Sequence, residues 1–457
     1  MFSIEYDNGT LLVSAKKYSY LVQNLPYCQW DNRSKCFRLP GYQYYNLIST
    51  LYYEKFSYED KARAYQELNL TETWTKEPFY YQKEAIAKWV RAGKRGIIVL
   101  PTGTGKSFVG VMAISKASRS SIVVVPTIDL MQQWYHTLKS HFKNVNIGLI
   151  GGGYFEPADL TVITYDSAHR HLEHLGNRFG LIIFDECHHL PGGMYQLSAK
   201  FAIAPYRLGL SATPERVDGG HNILEDLIGR FVFRKNISEM SGHFLADYNV
   251  MQIKATLTKE EREEYQKHRD RYISFIRKNG IQLNKKNWHK FIIASTRSKE
   301  GRRAFQSYLK QKSIAQVTPA KLKILQRLIK KHYKERILIF THDNATVYKI
   351  SKEFLIPVIT HQTKAKERRE YLVGFNNGKY SILATSKVLN EGVNIPNVSI
   401  GIILSGTSSV REHVQRLGRI LRKYKNKKAL LYEIITQNTM EEFVSKRRRD
   451  HEAYRIN

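Results

Sequence analysis

Cysteine is scarce in this sequence, with three residues, Cys28, Cys36 and Cys187, in a chain of 457. Three dispersed thiols provide neither a disulfide framework nor a C-x-x-C pair of metal ligands, so we expect a reducing compartment. Long hydrophobic runs are also missing, and no window has the roughly 20 apolar residues that a membrane span needs. The first residues lack the basic and apolar regions of a signal peptide. We therefore expect a cytoplasmic protein without a membrane partner.

Acidic residues are in short supply as well. The chain has 41 Asp and Glu against 72 Lys and Arg, which gives a formal net charge of +31. This excess is larger than solubility requires and indicates a polyanionic partner, nucleic acid before a membrane surface. A merely solvated basic surface is the alternative, because net charge reports on partners and not on fold.

Short, continuous runs of aliphatic and β-branched residues are plentiful. From Gly96, and again from Arg336, such runs alternate with amphipathic stretches of helical period. Continuous hydrophobicity is typical of strands buried on both faces of a parallel sheet, so the pattern predicts two α/β units in tandem. We expect a small α+β module over 1–75, an α/β unit over 76–245, a charged and mostly helical linker or insertion over 246–317, and a second α/β unit over 318–457.

The two other segments differ from this alternation. Residues 1–75 predict two β-hairpins, the first turning at Asn8-Gly9, and one aromatic helix. The aromatic side chains of this module are predicted to be core rather than stacking platforms; they are Trp30, Tyr44, Tyr45 and Tyr52. In 259–312 basic residues outnumber acidic ones on predicted helix. A solvated helical linker and an insertion that faces nucleic acid are both open there.

The stretch LPTGTGKS, Leu100 to Ser107, predicts a phosphate-binding loop although Leu100 stands where the strict pattern has glycine. It follows a buried strand and opens a helix, and its glycines allow successive N–H groups to point inward. Lys106 would reach the β- and γ-phosphates of ATP, and Ser107 would hold Mg²⁺. The residues expected to cradle the nucleotide are Thr102, Gly103, Thr104, Gly105, Lys106 and Ser107.

A pair of carboxylates, Asp185 and Glu186, stands at the end of the apolar strand in LIIFDECHHL. Asp185 is placed to bind Mg²⁺ through water, and Glu186 to orient and deprotonate the attacking water. Two surface carboxylates at a strand end would be the ordinary alternative. The neighbouring His188 and His189 are not predicted to bind metal, because adjacent imidazoles point in different directions and no third ligand is evident.

The second α/β unit contributes arginines in QRLGRILR. Arg416, Arg419 and Arg422 have helical spacing after a strand. A guanidinium that approaches the γ-phosphate from another domain acts as an arginine finger, and we assign that catalytic role to Arg419 and Arg422. A solvated basic helix is the alternative for this motif taken alone.

Together and in order, these motifs resemble those of superfamily 2 helicases over nearly the whole chain. The resemblance implies two RecA-like motor domains, with the small α+β module and the basic helical insertion added to them. In that family the Leu100 position need not be glycine. The remaining roles implied by the resemblance are adenine reading by Gln82, nucleic-acid contacts by Thr127, Thr164, Thr341 and Thr385, coupling of hydrolysis to movement by Ser211, Ala212 and Thr213, and a nucleotide contact by Gly392.

Within the superfamily, the sequence is similar to the XPB (Rad25) branch and, in its N-terminal module, to UvsW-like branch-migration helicases of tailed phages. The resemblance implies an ATP- and Mg²⁺-dependent DNA helicase acting on forked or branched DNA without sequence preference, in host cytoplasm if phage-encoded. Protein partners are not indicated, and a monomer is compatible with the sequence. One departure is Gln415, where many relatives carry histidine.

Rival functions stay open at this point. An RNA helicase, or a duplex translocase that does not separate strands, would share these motifs because they do not report 2′-hydroxyl recognition. A metabolic P-loop NTPase would need neither a second α/β unit nor the large positive charge. A passive nucleic-acid-binding protein would not need Lys106, Asp185 and Glu186 together.

Overall fold

A computed structural model describes residues 1–15, 20–74, 77–214, 219–240, 244, 248–282, 287–386, 398–405 and 429–449. The chain divides into two compact units, Met1–Asn236 and Ile237–Asn457. Among the described helices, none combines the length and the apolar composition needed to cross a membrane.

The first unit begins with a small α+β module. Its sheet has the strand order β3-β4-β2-β1-β5. β1 and β2 form the predicted hairpin, in which Asn8 and Gly9 both adopt positive φ, as a tight turn between twisted strands requires. The elements are β1 Phe2–Asp7, β2 Thr10–Ala15, α1 Tyr20–Gln23, β3 Gln29–Asp31, β4 Cys36–Pro40, α2 Tyr44–Tyr53 and β5 Tyr58–Asp60.

The prediction that the aromatic residues of this module are core is wrong for three of four. Tyr44 is buried, but Trp30, Tyr45 and Tyr52 are 53%, 38% and 71% exposed. The helix α2 buries the face that Tyr44 shares with Leu47 and Leu51, so Tyr45 and Tyr52 point elsewhere. Trp30 lies on the short edge strand β3, where only one ring neighbour, Phe37, was found among the described residues.

The module packs directly on the α/β part of the first unit. The hydroxyl of Tyr6 lies 2.8 Å from the carbonyl oxygen of Leu172 and 3.0 Å from that of Phe201. A Cβ atom on Gly41 would come within 2.5 Å of the same Phe201 oxygen, so only glycine permits this approach. Burial raises the pKa of Tyr6 well above its ordinary value. The module is therefore built into the first unit rather than tethered to it.

The α/β part of the first unit has a sheet whose described strands follow the order β11-β10-β12-β8-β13-β14-β7-β15. All its pairs are parallel except β10 with β11. The strands of this sheet are β7 Arg95–Val99, β8 Ser121–Val125, β10 Ile147–Gly151, β11 Tyr154–Phe155, β12 Leu160–Thr164, β13 Leu181–Asp185, β14 Tyr206–Ser211 and β15 Phe231–Arg234. Two further strands, β6 Thr71–Glu72 and β9 Phe142–Lys143, pair with each other in a separate antiparallel sheet. The helices are α3 Tyr80–Arg91, α4 Lys106–Ala117, α5 Ile128–His141, α6 Tyr165–Leu175, α7 Gln196–Phe201 and α8 Ile223–Leu227.

The central strands β8, β12 and β13 are buried at every residue, as their continuous hydrophobicity predicts. Since these strands are parallel, their carboxyl ends lie at one edge of the sheet. That edge is where open α/β sheets bind ligands, because the loops that follow the strands meet there.

The second unit has a parallel sheet whose described strands follow the order β16-β21-β20-β17-β19-β18. Its elements are α9 Ile237–Met240, β16 Tyr248–Ala255, α10 Lys259–Lys278, α11 Trp288–Thr296, α12 Lys299–Gln316, α13 Pro319–Lys331, β17 Ile337–Phe340, α14 Asn344–Phe354, β18 Val358–Ile359, α15 Ala365–Asn376, β19 Ile382–Thr385, β20 Ile400–Ile403, β21 Ala429–Thr436 and α16 Met440–Arg449. The prediction of two parallel-sheet α/β domains is confirmed.

The charge-rich segment folds as the three helices α10, α11 and α12. They bury a small core of their own, centred on Tyr272, Phe275 and Phe291. A segment with its own core is more than a solvated linker, because its helices stabilise one another by burying apolar area. The helical insertion predicted from the sequence is thus confirmed, while its role stays a prediction.

Arg207 in β14 is a buried cation that holds helix ends together. Its side chain is fully buried. Its guanidinium donates hydrogen bonds at 2.6–3.1 Å to the carbonyl oxygens of Ala199, Ala202, Ala204 and Leu227. These carbonyls belong to the last turns of α7 and α8 and to the segment after α7, where helical donors run out.

We expect Arg207→Met to lower the free energy of unfolding by about 3 kcal/mol, because each buried acceptor that loses its donor costs about 1–3 kcal/mol. Urea denaturation followed by circular dichroism measures this. Arg91→Met, at the exposed end of α3, is the control and should change stability by less than about 0.5 kcal/mol. Equal stability of the two variants would contradict the assignment.

Candidate nucleotide site

The predicted phosphate loop lies between β7 and α4, at the carboxyl edge of the first sheet. Gly103 and Gly105 have φ values of 92° and 80°, in the left-handed region that favours glycine. The helix α4 begins at Lys106, so its unpaired N–H groups face the loop. The hydroxyl of Thr104 donates to the carbonyl of Pro101 at 2.7 Å and closes a tight turn. This geometry suits an anion, because partial positive charge collects at the amino end of α4.

Two side chains of α3, Tyr81 and Gln82, support this loop by hydrogen bonds to its backbone. Gln82 Nε2 and the Tyr81 hydroxyl both donate to the carbonyl oxygen of Thr104, at 3.1 Å and 2.7 Å. Gln82 Oε1 accepts from the backbone N–H of Phe79 at 3.0 Å. A Cβ atom on Gly105 would lie 2.6 Å from Gln82 Nε2. Gln82, predicted to read adenine, is therefore buried against the loop, and both ends of its amide are bonded to protein.

The carboxylates lie where β13 ends. Asp185 is the last residue of that strand and is 3% exposed. Its Oδ2 accepts from Trp134 Nε1 at 2.7 Å, and its Oδ1 accepts from the backbone N–H of Glu186 at 3.0 Å. Burial, followed by the adjacent Glu186 carboxylate, raises the pKa of Asp185 to about 6 from an ordinary value near 3.8. The Asp185 carboxyl is therefore harder to ionise here than it would be at an exposed position.

Lys106 and Glu186 face each other across the site. Lys106 Nζ lies 3.9 Å from Glu186 Oε1, and their side chains are 9% and 12% exposed. The turn after β13 makes this possible, because Glu186 has a φ of 48°, unusual for a residue other than glycine. The structure thus brings together Lys106, Asp185 and Glu186, which lie far apart in sequence.

The residues predicted to couple hydrolysis to movement are joined to Glu186 through His188. Glu186 Oε2 lies 3.4 Å from His188 Nδ1, and the same nitrogen lies 3.2 Å from Ser211 Oγ. Ser211 Oγ in turn accepts from the backbone N–H of Thr213 at 3.2 Å, across Ala212. His188 is 1% exposed. The sequence predicts no role for this histidine, and its position between Glu186 and Ser211 links the two motifs.

The four threonines predicted to contact nucleic acid have their hydroxyl groups bonded within the protein. Thr127 and Thr164 cap α5 and α6 by accepting from backbone N–H groups. Thr341 and Thr385 are fully buried, and their hydroxyls donate at 3.0 Å to main-chain carbonyls. Thr127 alone of the four is partly exposed. Thr127 and Thr164 are therefore helix N-caps, whereas Thr341 and Thr385 lie at the carboxyl ends of β17 and β19, with their hydroxyls bonded to loop or strand carbonyls.

The other predicted residues, Gly392, Arg416, Arg419 and Arg422, lie outside the described residues. Ser107 is the second residue of α4. A hydroxyl here and the carboxylate of Asp185 form an oxygen donor set of the kind Mg²⁺ prefers, completed by phosphate and water. The carboxylates of buried Asp185 and partly buried Glu186, set against one lysine, also leave negative charge for a divalent cation to offset. The residues present fit Mg²⁺, and Ser107 and Asp185 would hold it.

Three family models match the chain. They are the Xeroderma pigmentosum group B helicase damage recognition domain over 4–62, the Type III restriction enzyme res subunit over 75–216, and the Helicase conserved C-terminal domain over 320–424. The fold also matches a crystal structure of the Pyrococcus furiosus Hef helicase domain with a TM-score of 0.53 at 17% identity, covering 81% of this chain and 97% of that one.

Among curated proteins, the DNA 3'-5' translocase XPB2 of Sulfurisphaera tokodaii is 41% identical over 371 residues, which is 81% of this chain and 84% of the relative. The DNA 3'-5' helicase XPB of Mycobacterium tuberculosis is 28% identical over 385 residues, 81% of this chain and 62% of the relative. This chain therefore spans less than two thirds of the mycobacterial protein.

The tandem α/β units, with a phosphate loop opening α4 and an Asp-Glu pair ending β13, define a superfamily 2 helicase with two RecA-like domains. Given the 41% identity over most of both chains, this chain belongs to the XPB family of those helicases. It is accordingly an enzyme of the ATP-dependent helicase class, and the predicted resemblance to XPB is confirmed. Closeness to the phage UvsW-like helicases stays a prediction.

Proposed function

We propose that this protein is an ATP-driven motor that moves along DNA in the 3'-5' direction and opens forked or branched DNA. The observation that supports it best is the approach of Lys106, in the phosphate loop, to within 3.9 Å of Glu186, the residue next to Asp185. The direction is proposed because the S. tokodaii and mycobacterial relatives are named for it.

The chemistry follows from the charges at this site. The ammonium of Lys106, buried at the start of α4, neutralises the β- and γ-phosphates of ATP. Ser107 and Asp185 would hold Mg²⁺, which would offset the negative charge of the phosphates. Glu186 accepts the proton of a water that attacks the γ-phosphorus, and the bond to the β–γ bridging oxygen breaks, which gives ADP and phosphate. We propose that Arg419 and Arg422 complete the site.

The positive charge of the chain supports DNA as the polymer along which the protein moves. A net charge of +31 provides contacts to phosphates, which do not depend on base sequence and which salt weakens. With the four threonine hydroxyls bonded within the protein, we propose that nearby main-chain N–H groups and basic side chains hold the strand. We also propose a cytoplasmic location and a monomer. Branch migration, as in phage replication, recombination or repair, is the most specific part of this proposal.

The deciding experiment compares ATP hydrolysis and strand separation on four substrates with the same protein: a four-way junction, a fork, a linear DNA duplex and an RNA duplex. We expect ATP turnover to rise with DNA and unwinding to be strongest on the fork or junction. If the protein contacts six or more phosphates, its affinity for DNA should fall by about 10³-fold between 50 and 200 mM salt. The stimulation of ATP turnover at a fixed DNA concentration should fall with it.

Other outcomes would redirect the assignment. Stimulation by linear duplex without strand separation would establish a duplex translocase. Stronger stimulation by RNA than by DNA would establish an RNA helicase. Turnover that no nucleic acid changes would contradict the motor altogether and favour a metabolic NTPase.

A further inference from the structure

The side chain of Trp134 reaches the metal-binding aspartate from a helix that carries no predicted nucleotide contact. Trp134 lies on α5, is 1% exposed and donates from Nε1 to Asp185 Oδ2 at 2.7 Å. A hydrogen bond from a neutral donor to a buried carboxylate is charge-assisted and therefore stronger than an ordinary one. The only residue of this region with a role predicted from the sequence is Thr127, which caps α5.

The indole ring is held tightly in place. A Cβ atom on Gly110 of α4 would lie 2.5 Å from Cη2 of Trp134, which is closer than carbon atoms approach. Gly110 therefore leaves room for the ring, and the ring in turn occupies the space beside α4. Because α4 begins at Lys106, one side chain packs on the helix of the phosphate loop and also bonds to the aspartate opposite it.

The two oxygens of Asp185 depend on different donors. Oδ1 accepts from the backbone N–H of Glu186, which is fixed by the turn after β13. Oδ2 accepts from Trp134. One hydrogen bond restricts rotation of the carboxylate about its terminal bond, and a second bond to the other oxygen fixes its plane. The indole therefore helps to set the direction in which the remaining lone pairs point. A donor that orients a carboxylate ligand in this way tunes the affinity for the metal.

We infer that Trp134 is a positioning residue for Asp185, and that its indole N–H sets the affinity of the ATP site for Mg²⁺. This inference rests on the proposed function, because it assumes that the site takes Mg²⁺ and nucleotide. The effect of Trp134 on both passes through the orientation of the Asp185 carboxylate, to which its N–H is bonded.

The test compares Trp134→Phe with Trp89→Phe in the full chain. Trp89 is also fully buried in the first unit and donates from its Nε1 to a main-chain carbonyl, that of Arg207, at 3.0 Å. Each substitution keeps an aromatic ring and removes one buried N–H donor. The binding of a fluorescent ADP analogue is measured without Mg²⁺, in EDTA, and then over a Mg²⁺ titration. The melting temperature is recorded for each variant.

For Trp134→Phe we expect the Mg²⁺ concentration that half-maximally tightens ADP binding to rise about 10-fold or more. ADP affinity in EDTA should stay within about twofold of the parent protein. For Trp89→Phe the Mg²⁺ midpoint should not move, although the melting temperature falls. An unchanged midpoint in Trp134→Phe, or an equal loss of ADP affinity with and without Mg²⁺, overturns the inference. If the parent protein shows no Mg²⁺-dependent ADP binding, the proposed function fails instead.

A measurement on the unsubstituted protein covers the case in which Trp134→Phe does not fold. The chain has five tryptophans, so ¹⁵N labelling of their indoles gives few signals, which substitutions of the other four assign. Adding Mg²⁺ and ADP should shift the Trp134 indole N–H signal and leave that of Trp89 in place. A Trp134 signal that Mg²⁺ and ADP do not move would overturn the inference.

Discussion

Lys106→Ala is expected to lower nucleic-acid-stimulated ATP hydrolysis by about 10³-fold, because the loss of one preorganised charge at a transferring phosphoryl group costs about 10²–10³. Lys106 is 9% exposed, so its ammonium acts where water screens charge poorly. Its Nζ lies 3.9 Å from Glu186 Oε1, which shows that it reaches the carboxylate assigned to the attacking water. A phosphate assay at saturating DNA measures the effect.

The same variant should still bind DNA with nearly the affinity of the parent protein, because one residue beside the phosphate loop adds little to a net charge of +31. Lys116→Ala is a matched control, since Lys116 is an exposed lysine in the last turn of the same helix, α4. It removes the same charge and should leave turnover within about twofold. Full ATP turnover by Lys106→Ala would contradict the assignment of Lys106 to the nucleotide site. A large loss of turnover in Lys116→Ala would show instead that substitutions in α4 damage the helix.

Local patterns predicted the elements that build this site. The strand before the phosphate loop and the strand that ends at Asp185 are short apolar runs, and a parallel sheet buries such runs on both faces. Gly103 and Gly105 were predicted to let the loop curl, and both have positive φ. Parallel pairing then brings the loop and the carboxylates to one edge, so the meeting of Lys106 with Glu186 follows from fold class.

The contacts that refine the site could not be predicted, because they join residues far apart in sequence. Trp134 bonds to Asp185 across 51 positions, and His188 to Ser211 across 23. A tryptophan on the apolar face of a helix is predicted to be a core residue, and Trp134 is buried as expected. Its N–H, however, also donates a hydrogen bond to the carboxylate of Asp185. Gln82 likewise makes a contact that its motif does not predict, a hydrogen bond to the carbonyl of Thr104, while its reading of adenine stays a prediction.

Exposure of aromatic residues was misjudged for a related reason. On α2, Tyr44 and Tyr45 are adjacent in sequence, and only the helical phase separates buried Tyr44 from Tyr45, which is 38% exposed. The helix is aromatic on both faces, so composition does not reveal which face meets the sheet. Trp30 is exposed because β3 lies at the edge of its sheet. That position depends on the order of the strands, which the sequence of β3 alone does not predict.

Glu186→Gln is expected to reduce ATP hydrolysis by about 10²–10⁴-fold, the usual contribution of a general base, while ATP binding is kept. The amide has nearly the shape of the carboxylate, so it should tolerate the φ of 48° as well as glutamate does. It cannot accept a proton from water. Loss of this charge also removes a repulsion that raises the pKa of Asp185, so Asp185 should ionise more readily. Single-turnover hydrolysis and ATP binding, measured separately, test the loss of hydrolysis and the retention of binding.

Glu225→Gln, at an exposed position on α8 of the first unit, is the charge-matched control and should hydrolyse ATP at the parent rate. Because Glu186 also lies 3.4 Å from His188, a purely structural role is the competing account, and it makes a different prediction. A structural role would weaken ATP binding and hydrolysis together, whereas a general base affects only the chemical step. Hydrolysis by Glu186→Gln within twofold of the parent would exclude the base, and a parallel loss of binding would assign Glu186 to the support of the loop.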